Sequence, residues 1–283
     1  MLPKLSIITA IHNGFSLNKI FIDSLKKYTF YTYELIIIDN VSKDESANFF
    51  KKNGATVITN FQNYSYPVCQ NQGIEVAKGE FLCFLNNDII VSPNWDKHLI
   101  EIAQENSLDI LSASGIENMG TFKKTQAISR KWKKVKNLLS IFSFSEFNLK
   151  MMHKIMYGNW EKYCNNLYKQ NGTYVVEGIV GDNVILTRKA IEKIGLWDER
   201  LQQADFDLFM RAKKRAKEFN DIKPCHIALG VYIHHFGRMT LKYAKQKPTP
   251  FKDKENLIIL TDKWSEEEIK SLHPNNATLN LKN

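Results

Sequence analysis

Asn86-Asn87-Asp88 stands at the end of the apolar run Phe81-Leu82-Cys83-Phe84-Leu85. Such a run reads as a buried strand, and its exit is where open α/β sheets take ligands. A carboxylate flanked by two amides supplies hard oxygen atoms, which suit a divalent cation that also holds phosphate. The plainer alternative is a turn or a helix cap, since Asn and Asp are common in both and Pro93 follows closely. A second concentration of acid groups, Asp198, Glu199, Asp205 and Asp207, lies around the start of a helix expected over Phe206 to Phe219. There the macrodipole favours an ionised carboxylate. One of Asp205 and Asp207 is expected to cap the helix. A carboxylate that faces the crevice instead would be a general base of ordinary pKa, able to take a proton from a hydroxyl.

The elements that must position these groups alternate regularly. Leu5 to Ile11 is strand-like and runs into His12-Asn13-Gly14; Leu17 to Lys27 reads as helix. Tyr33 to Ile38 is a second strand ending in Asp39-Asn40, and Ser42-Lys43-Asp44-Glu45 leads into a helix through Lys52. Ala55 to Thr59 is a short third strand, Tyr66 to Ala77 a helix, and the fourth strand ends in Asn86-Asn87-Asp88. Strands apolar on both faces, alternating with helices, predict an α/β fold with a mostly parallel sheet. Right-handed crossovers bring the strand exits to one edge, so His12-Asn13, Asp39-Asn40 and Asn86-Asn87-Asp88 converge on one crevice. Neither a G-x-x-x-x-G-K-[ST] loop nor a G-x-G-x-x-G turn is present. A diphosphate in that crevice would need another counter-charge, and a metal at Asp88 is the obvious one.

The second half is less regular. Val175 to Thr187 reads as strand and loop with Gly178 and Gly181, and Arg188 to Ile194 as a helix stopped by Gly195. Between Thr121 and Ser145 lie Lys123, Lys124, Arg130, Lys131, Lys133, Lys134 and Lys136, without one acidic residue. Trp132, Val135, Leu139 and Phe142 fall at helical spacing among them. That stripe faces either the core or an anionic membrane surface. The block lacks the aromatic platform of single-strand binders and adjoins an acidic crevice, which argues against nucleic acid as partner.

The chain has 283 residues and a formal net charge of +9. That length allows one large domain or two small ones. No stretch approaches the ~20 apolar residues of a membrane span. Met1-Leu2-Pro3-Lys4 lacks a signal-peptide layout. The four cysteines, Cys69, Cys83, Cys164 and Cys225, form no C-x-x-C pair, as in a reduced, cytoplasmic chain without structural zinc.

Over roughly residues 4 to 240 the chain resembles the family 2 nucleotide-sugar glycosyltransferases of the GT-A fold. The similar segments are the strand Leu5 to Asn13, Ile38-Asp39-Asn40-Val41-Ser42-Lys43-Asp44, and Asn71-Gln72-Gly73-Ile74 with Ala77-Lys78-Gly79-Glu80. Asn86-Asn87-Asp88 is similar to the D-x-D element with one acid, Gly195-Leu196-Trp197-Asp198-Glu199 to G-G-F-D-E, and Ala204-Asp205-Phe206-Asp207 to E-D-x-D with alanine first. His235, five residues before Thr240, matches a histidine of the metal or diphosphate site, with His234 as its rival. Thr261-Asp262-Lys263-Trp264 resembles a short C-terminal signature.

The resemblance implies an inverting transfer from a nucleoside-diphosphate sugar. It places Mn²⁺ or Mg²⁺ on Asp88 and His235, Asp205 as base, and the donor against Thr9, Ile11, Asn13, Asp39, Asn40, Asn71 and Asn87. UDP or dTDP is the preferred nucleotide, because Asp39 suits a pyrimidine imide N–H. The acceptor is expected to be a glycan or a lipid-linked hydroxyl, and residues 121–145 to touch the inner face of a membrane. The expected organisation is a nucleotide-sugar part over 1–115, an acceptor and catalytic part over 116–245 with a basic insertion at 121–170, and a polar extension over 246–283.

Overall fold

A computed structural model describes residues 2–141, 143–237 and 250–272; Phe142, Thr240 and the last residues of the expected polar extension, 273–283, lie outside the described residues. The first half alternates as its apolar pattern predicts: β1 Leu5–Ile11, α1 Phe15–Tyr28, β2 Tyr33–Asn40, α2 Ser46–Lys52, β3 Thr56–Asn60, α3 Tyr66–Val76 and β4 Phe81–Leu85. β2 runs on through Asp39-Asn40, where a loop was expected, because Asp39 and Asn40 pair with Thr59 and Asn60 of β3. Then come β5 Ile89–Ile90, α4 Trp95–Glu105, β6 Ile110–Ser114, α5 Phe122–Leu139, α6 Glu146–Tyr157 and α7 Trp160–Asn171. The chain continues through β7 Val175–Glu177, β8 Asn183–Thr187, α8 Arg188–Ile194, α9 Ala204–Phe219, β9 His226–Tyr232 and β10 His234–His235. Two short helices follow, α10 Leu260–Lys263 and α11 Glu266–Leu272.

Eight strands form one sheet in the order β3-β2-β1-β4-β8-β6-β9-β7. The four strands from β3 to β4 are parallel; β8 runs antiparallel to both its neighbours and β7 antiparallel to β9. The sheet is thus mostly parallel and spans both expected parts of the chain. Alternate residues of β1 feed opposite faces. Ile7 and Ile11 pack with Phe21, Ile22, Trp95 and Leu99 from α1 and α4. Ile8 packs on the other face with residues of α3 and α9, including Leu208 and Phe209.

The stretch expected as a polar extension has apolar anchors in its described part. Leu260, Trp264, Ile269 and Leu272 are buried in the cluster that contains α9. Asp207 holds this end in place. It is fully buried and accepts from Trp264 Nε1 at 2.9 Å, Arg211 Nε at 2.8 Å and Lys263 Nζ at 2.6 Å. Lys263 also pairs with Asp198. Asp207→Ala would take one acceptor each from Arg211 and Lys263 and leave the indole N–H of Trp264 without its own. Breaking a buried pair in this way costs about 3–5 kcal/mol, and the drop is expected as a lower urea midpoint at unchanged slope.

The basic helix α5 turns Trp132 and Val135 into a third apolar cluster, where they join Met152, Met156 and Trp160 of α6 and α7. Its stripe therefore faces the core, the plainer of the two alternatives. No helix among the described residues is long and apolar enough to cross a membrane.

Candidate active site

β10 is two residues long and pairs antiparallel with β5, matching His235 to Ile89 and His234 to Ile90. Phe236 N–H donates to the Asp88 carbonyl at 2.9 Å, which brings the two histidines alongside the exit of β4. Neighbouring residues of a strand point to opposite sides, and this separates them. His234 is fully buried, with Nδ1 2.8 Å from Tyr157 Oη and its ring against Trp132 and Phe236. Desolvation first, then His153 and His235, lowers its pKa well below the usual range. It packs.

His235 meets three carboxylates. Its Nε2 lies 3.1 Å from Asp88 Oδ1, while its Nδ1 lies 2.7 Å from Glu117 Oε1 and 3.1 Å from Asp182 Oδ2. Desolvation opposes a charge on the ring, but Asp88, Asp182 and Glu117 outweigh it and raise its pKa well above normal. Asp182 is lowered because the charge of His235 and its hydrogen bond overcome the desolvation that comes first. Glu117 is raised by desolvation and then by Asp182, although its side chain is 39% exposed and open to water on one side. Three acids around one imidazole leave an excess of negative charge that a divalent cation would offset.

The donor set fits Mn²⁺ or Mg²⁺. Adjacent ligands on an octahedral ion with bonds of about 2.1 Å lie about 3.0 Å apart, close to the Nε2–Oδ1 spacing. A metal on Nε2 leaves the ring proton on Nδ1, where two carboxylates can accept it, as metal-bound histidines usually require. The set of donors that all fall within 4.8 Å of one another is Glu117, Asp182 and His235, and it excludes Asp88. The structure therefore adds two acids that the sequence did not single out.

A cleft of about 300 Å³ opens beside this cluster, lined by Glu117, Asp182, His235, Asn86, Tyr66 and Asp205 among others. Asp88, in contact with His235 Nε2, is not among the residues that line it. Asp205 sits in the first turn of α9. Its expected ordinary pKa is corrected: desolvation raises it, Asp182 adds to the rise, and the backbone N–H groups of Phe206 and Asp205 only partly oppose. Tyr66 Oη has no hydrogen-bond partner although it is buried at the wall of the cleft. Gly181 lets the loop before β8 lie against Asp205, since a Cβ there would come within 2.8 Å of Asp205 Cγ. Gly181→Ala is expected to displace that carboxyl and to lower turnover about 10–100-fold, because a misplacement near 1 Å can cost this much. An unchanged thermal midpoint would show that the fold is retained.

The other expected binding residues are placed differently. Asp39 stands at the end of β2, 3% exposed, with Oδ1 accepting from Ser42 N–H at 3.0 Å. Asn13 closes the neighbouring loop, taking Lys43 N–H on its side chain and giving its own N–H to Ser42 Oγ. The amides of Asn40 and Asn71 hydrogen-bond within the protein. Asn40 donates to Asn63 and to the Tyr64 carbonyl and accepts from Tyr64 N–H. Asn71 clasps both N–H and C=O of Trp197 and reaches Glu199. Asn87 donates to Asn18. Thr9 and Ile11 are buried in the sheet. Thr9 Oγ1 has no partner there, and Ile11 belongs to the apolar cluster under α1. Asn13, Asp39, Asn40 and Asn71 thus fix loops through their side chains.

The sheet, the crevice at its carboxyl edge and the histidine–carboxylate corner define a GT-A architecture. The description "Glycosyl transferase family 2" matches residues 6–195, and the chain belongs to that family. An uncharacterised glycosyltransferase of Rickettsia typhi is 24% identical over 217 residues, 74% of this chain and 58% of that one. A Campylobacter jejuni enzyme, GalNAc(5)-diNAcBac-PP-undecaprenol beta-1,3-glucosyltransferase, is 26% identical over 193 residues, 62% of each chain. EpsH of Bacillus subtilis matches over 30% of its length, and this chain spans less than two thirds of each of these relatives. Among solved structures, a mannosyltransferase from Pyrobaculum calidifontis in complex with GDP-Man and Mn²⁺ superposes with a TM-score of 0.54 at 12% identity. The superposition covers 98% of this chain and 71% of that one. Staphylococcus aureus TarS in complex with UDP gives 0.50 at 15%, covering 82% and 60%. At such identities the likeness speaks for the fold alone.

Proposed function

We propose that this chain is an inverting, metal-dependent glycosyltransferase. It would move a sugar from a nucleoside diphosphate, preferentially UDP or dTDP, to a hydroxyl of a glycan or lipid-linked acceptor in surface polysaccharide synthesis. The observation that carries this reading is the shared cleft, which has Asp205 on one wall and the His235 corner on another. Asp39 would receive the pyrimidine imide N–H, with Asn13 and Ser42 fixing the loops beside it. Asp88 and His235 Nε2 would hold Mn²⁺ or Mg²⁺, which when bound offsets the charge that develops on the leaving diphosphate. Asp182 and Glu117 would keep the ring proton on Nδ1 and so orient the imidazole.

Asp205 would accept the proton of the acceptor hydroxyl as that oxygen approaches the anomeric carbon. Desolvation, which raises its pKa, strengthens it as a base. The unpartnered Tyr66 hydroxyl at the same wall is placed to donate to a substrate oxygen. No second carboxylate is assigned as a nucleophile, so a single displacement with inversion follows. A cytoplasmic location with residues 121–145 toward the membrane suits a lipid-linked acceptor.

Thermal unfolding with UDP, dTDP and GDP, each with and without Mn²⁺, tests the reading. A rise in midpoint that needs both nucleotide and metal supports it. No shift under any condition, together with salt-sensitive binding of RNA, would overturn it.

A further inference from the structure

Helices α5 and α6 form an antiparallel hairpin. Asn148 near the start of α6 donates to the carbonyl of Leu139 at the end of α5, and Lys131 Nζ donates to the carbonyl of Met156 at the other end. One side of the hairpin is committed to the core through Trp132, Val135, Leu149 and Met152. The other side is unusual for a water-facing surface. Phe147, Met151 and Ile155 recur every fourth residue on α6 and are exposed, so they form one stripe. Leu138, 65% exposed, and Ile141, 79% exposed, lie where α5 ends and the chain turns toward α6.

Cations surround this stripe. Between residues 122 and 157 the chain carries nine lysines and arginines and one acid, Glu146, which is already paired with Lys19 and Lys150. Lys133 and Lys134 are exposed on α5 with no carboxylate partner among the described residues. A second copy of the chain would bring the same positive field against itself, which disfavours self-association. An exposed apolar stripe set in a cationic field is complementary to the headgroup and upper acyl region of an anionic bilayer.

We infer that the α5–α6 hairpin docks this protein on the surface of an anionic phospholipid bilayer. The apolar tip and α6 stripe enter the interface, and the lysines meet the lipid phosphates. The contact is made by the side opposite Trp132 and Val135, not by the stripe seen in the sequence. Docking would bear directly on the cleft. Trp132 packs against His234 and Phe236, which flank His235, and Lys136 Nζ reaches the Gly237 carbonyl. The hairpin thus ties the bilayer surface to the strand that carries the metal-site histidine. The link to a lipid-linked acceptor rests on the function proposed above; the docking itself rests on the surface alone.

Sedimentation of the full chain with phosphatidylcholine vesicles, with and without phosphatidylglycerol, tests this without any donor or acceptor. Wild type is expected to pellet only with the anionic vesicles and to be released by high salt. The double variant Lys133→Glu/Lys134→Glu should bind at least about 25-fold more weakly, since each interfacial cation contributes roughly fivefold. Ile141→Ser/Phe147→Ser should lose about tenfold or more, with unchanged thermal midpoint and Mn²⁺-dependent UDP response. Wild type that stays soluble with both vesicle types overturns the inference, as do variants that bind like wild type. Loss of a dimer in the same variants, with no vesicle binding by wild type, would also overturn it by making this face a contact between copies. Vesicle binding that persists in a chain showing no nucleotide response would retain the docking and refute the transferase reading instead.

Discussion

Asp205→Asn is expected to reduce sugar transfer by about 10²–10⁴-fold, the range that a positioned base contributes. Donor binding should be almost unchanged, because Asp205 is assigned neither to the metal nor to the nucleotide, and Asp39 does not line the cleft that Asp205 lines. The fold should not suffer either. Burial raises the pKa of this carboxyl in the folded protein, so at neutral pH its ionised form costs stability relative to the unfolded chain, where the pKa is ordinary. A neutral amide of similar shape removes that cost, and the melting midpoint is expected to hold or rise. The same shift has a kinetic signature. The base must be ionised, so activity falls as pH drops through its raised pKa. The acid limb of kcat/KM should therefore lie above the ordinary carboxylate value of about 4. A limb at the ordinary value would exclude Asp205 as the titrating base.

His235→Ala is the second large effect. It removes the one imidazole between Asp88, Asp182 and Glu117 and leaves three acids facing each other. Mn²⁺ affinity by calorimetry is expected to fall at least about 100-fold, and UDP should lose its metal-dependent stabilisation. The contribution of each acid separates by substitution. Asp88→Asn removes a ligand on the Nε2 side and should approach the His235→Ala effect. Asp182→Asn removes only an acceptor for the ring proton and should cost about 10-fold, the lower end for such outer partners. The reverse order would place the ion on the Nδ1 side, among Glu117, Asp182 and His235.

The parallel half of the fold was legible because its strands are apolar on both faces and each ends in a polar turn. Asp88 and Asp39 were found by following strands to their exits. Asp182 escaped that rule for a topological reason. β8 runs antiparallel to β4, with Leu85 opposite Asn183, so it is the start of β8 that meets the crevice. The only local sign was Gly181-Asp182 before an apolar run, and its meaning depended on a strand direction that a single sequence does not reveal. Glu117 lies in a turn closed by a bridge between Gly115 and Asn118 just after β6, and no strand exit in the sequence pointed to it. His234 and His235 were indistinguishable by type and spacing, and the alternation of a two-residue strand decided between them. Asn40 and Asn71 have a structural role that their residue type did not announce. Amides at a crevice suggest ligand contacts, yet both are consumed in holding loops, because buried amides must find partners.

The central claim is that Asp205 performs transfer from a metal-held nucleotide sugar. Its most direct test is release of nucleoside diphosphate from a panel of UDP-, dTDP- and GDP-sugars, run with Mn²⁺ and with chelator, for wild type and Asp205→Asn. The account predicts Mn²⁺-dependent release from a UDP or dTDP sugar by wild type and at most about a hundredth of that rate in the variant. Equal release by the two proteins, or release unaffected by chelator, would contradict it.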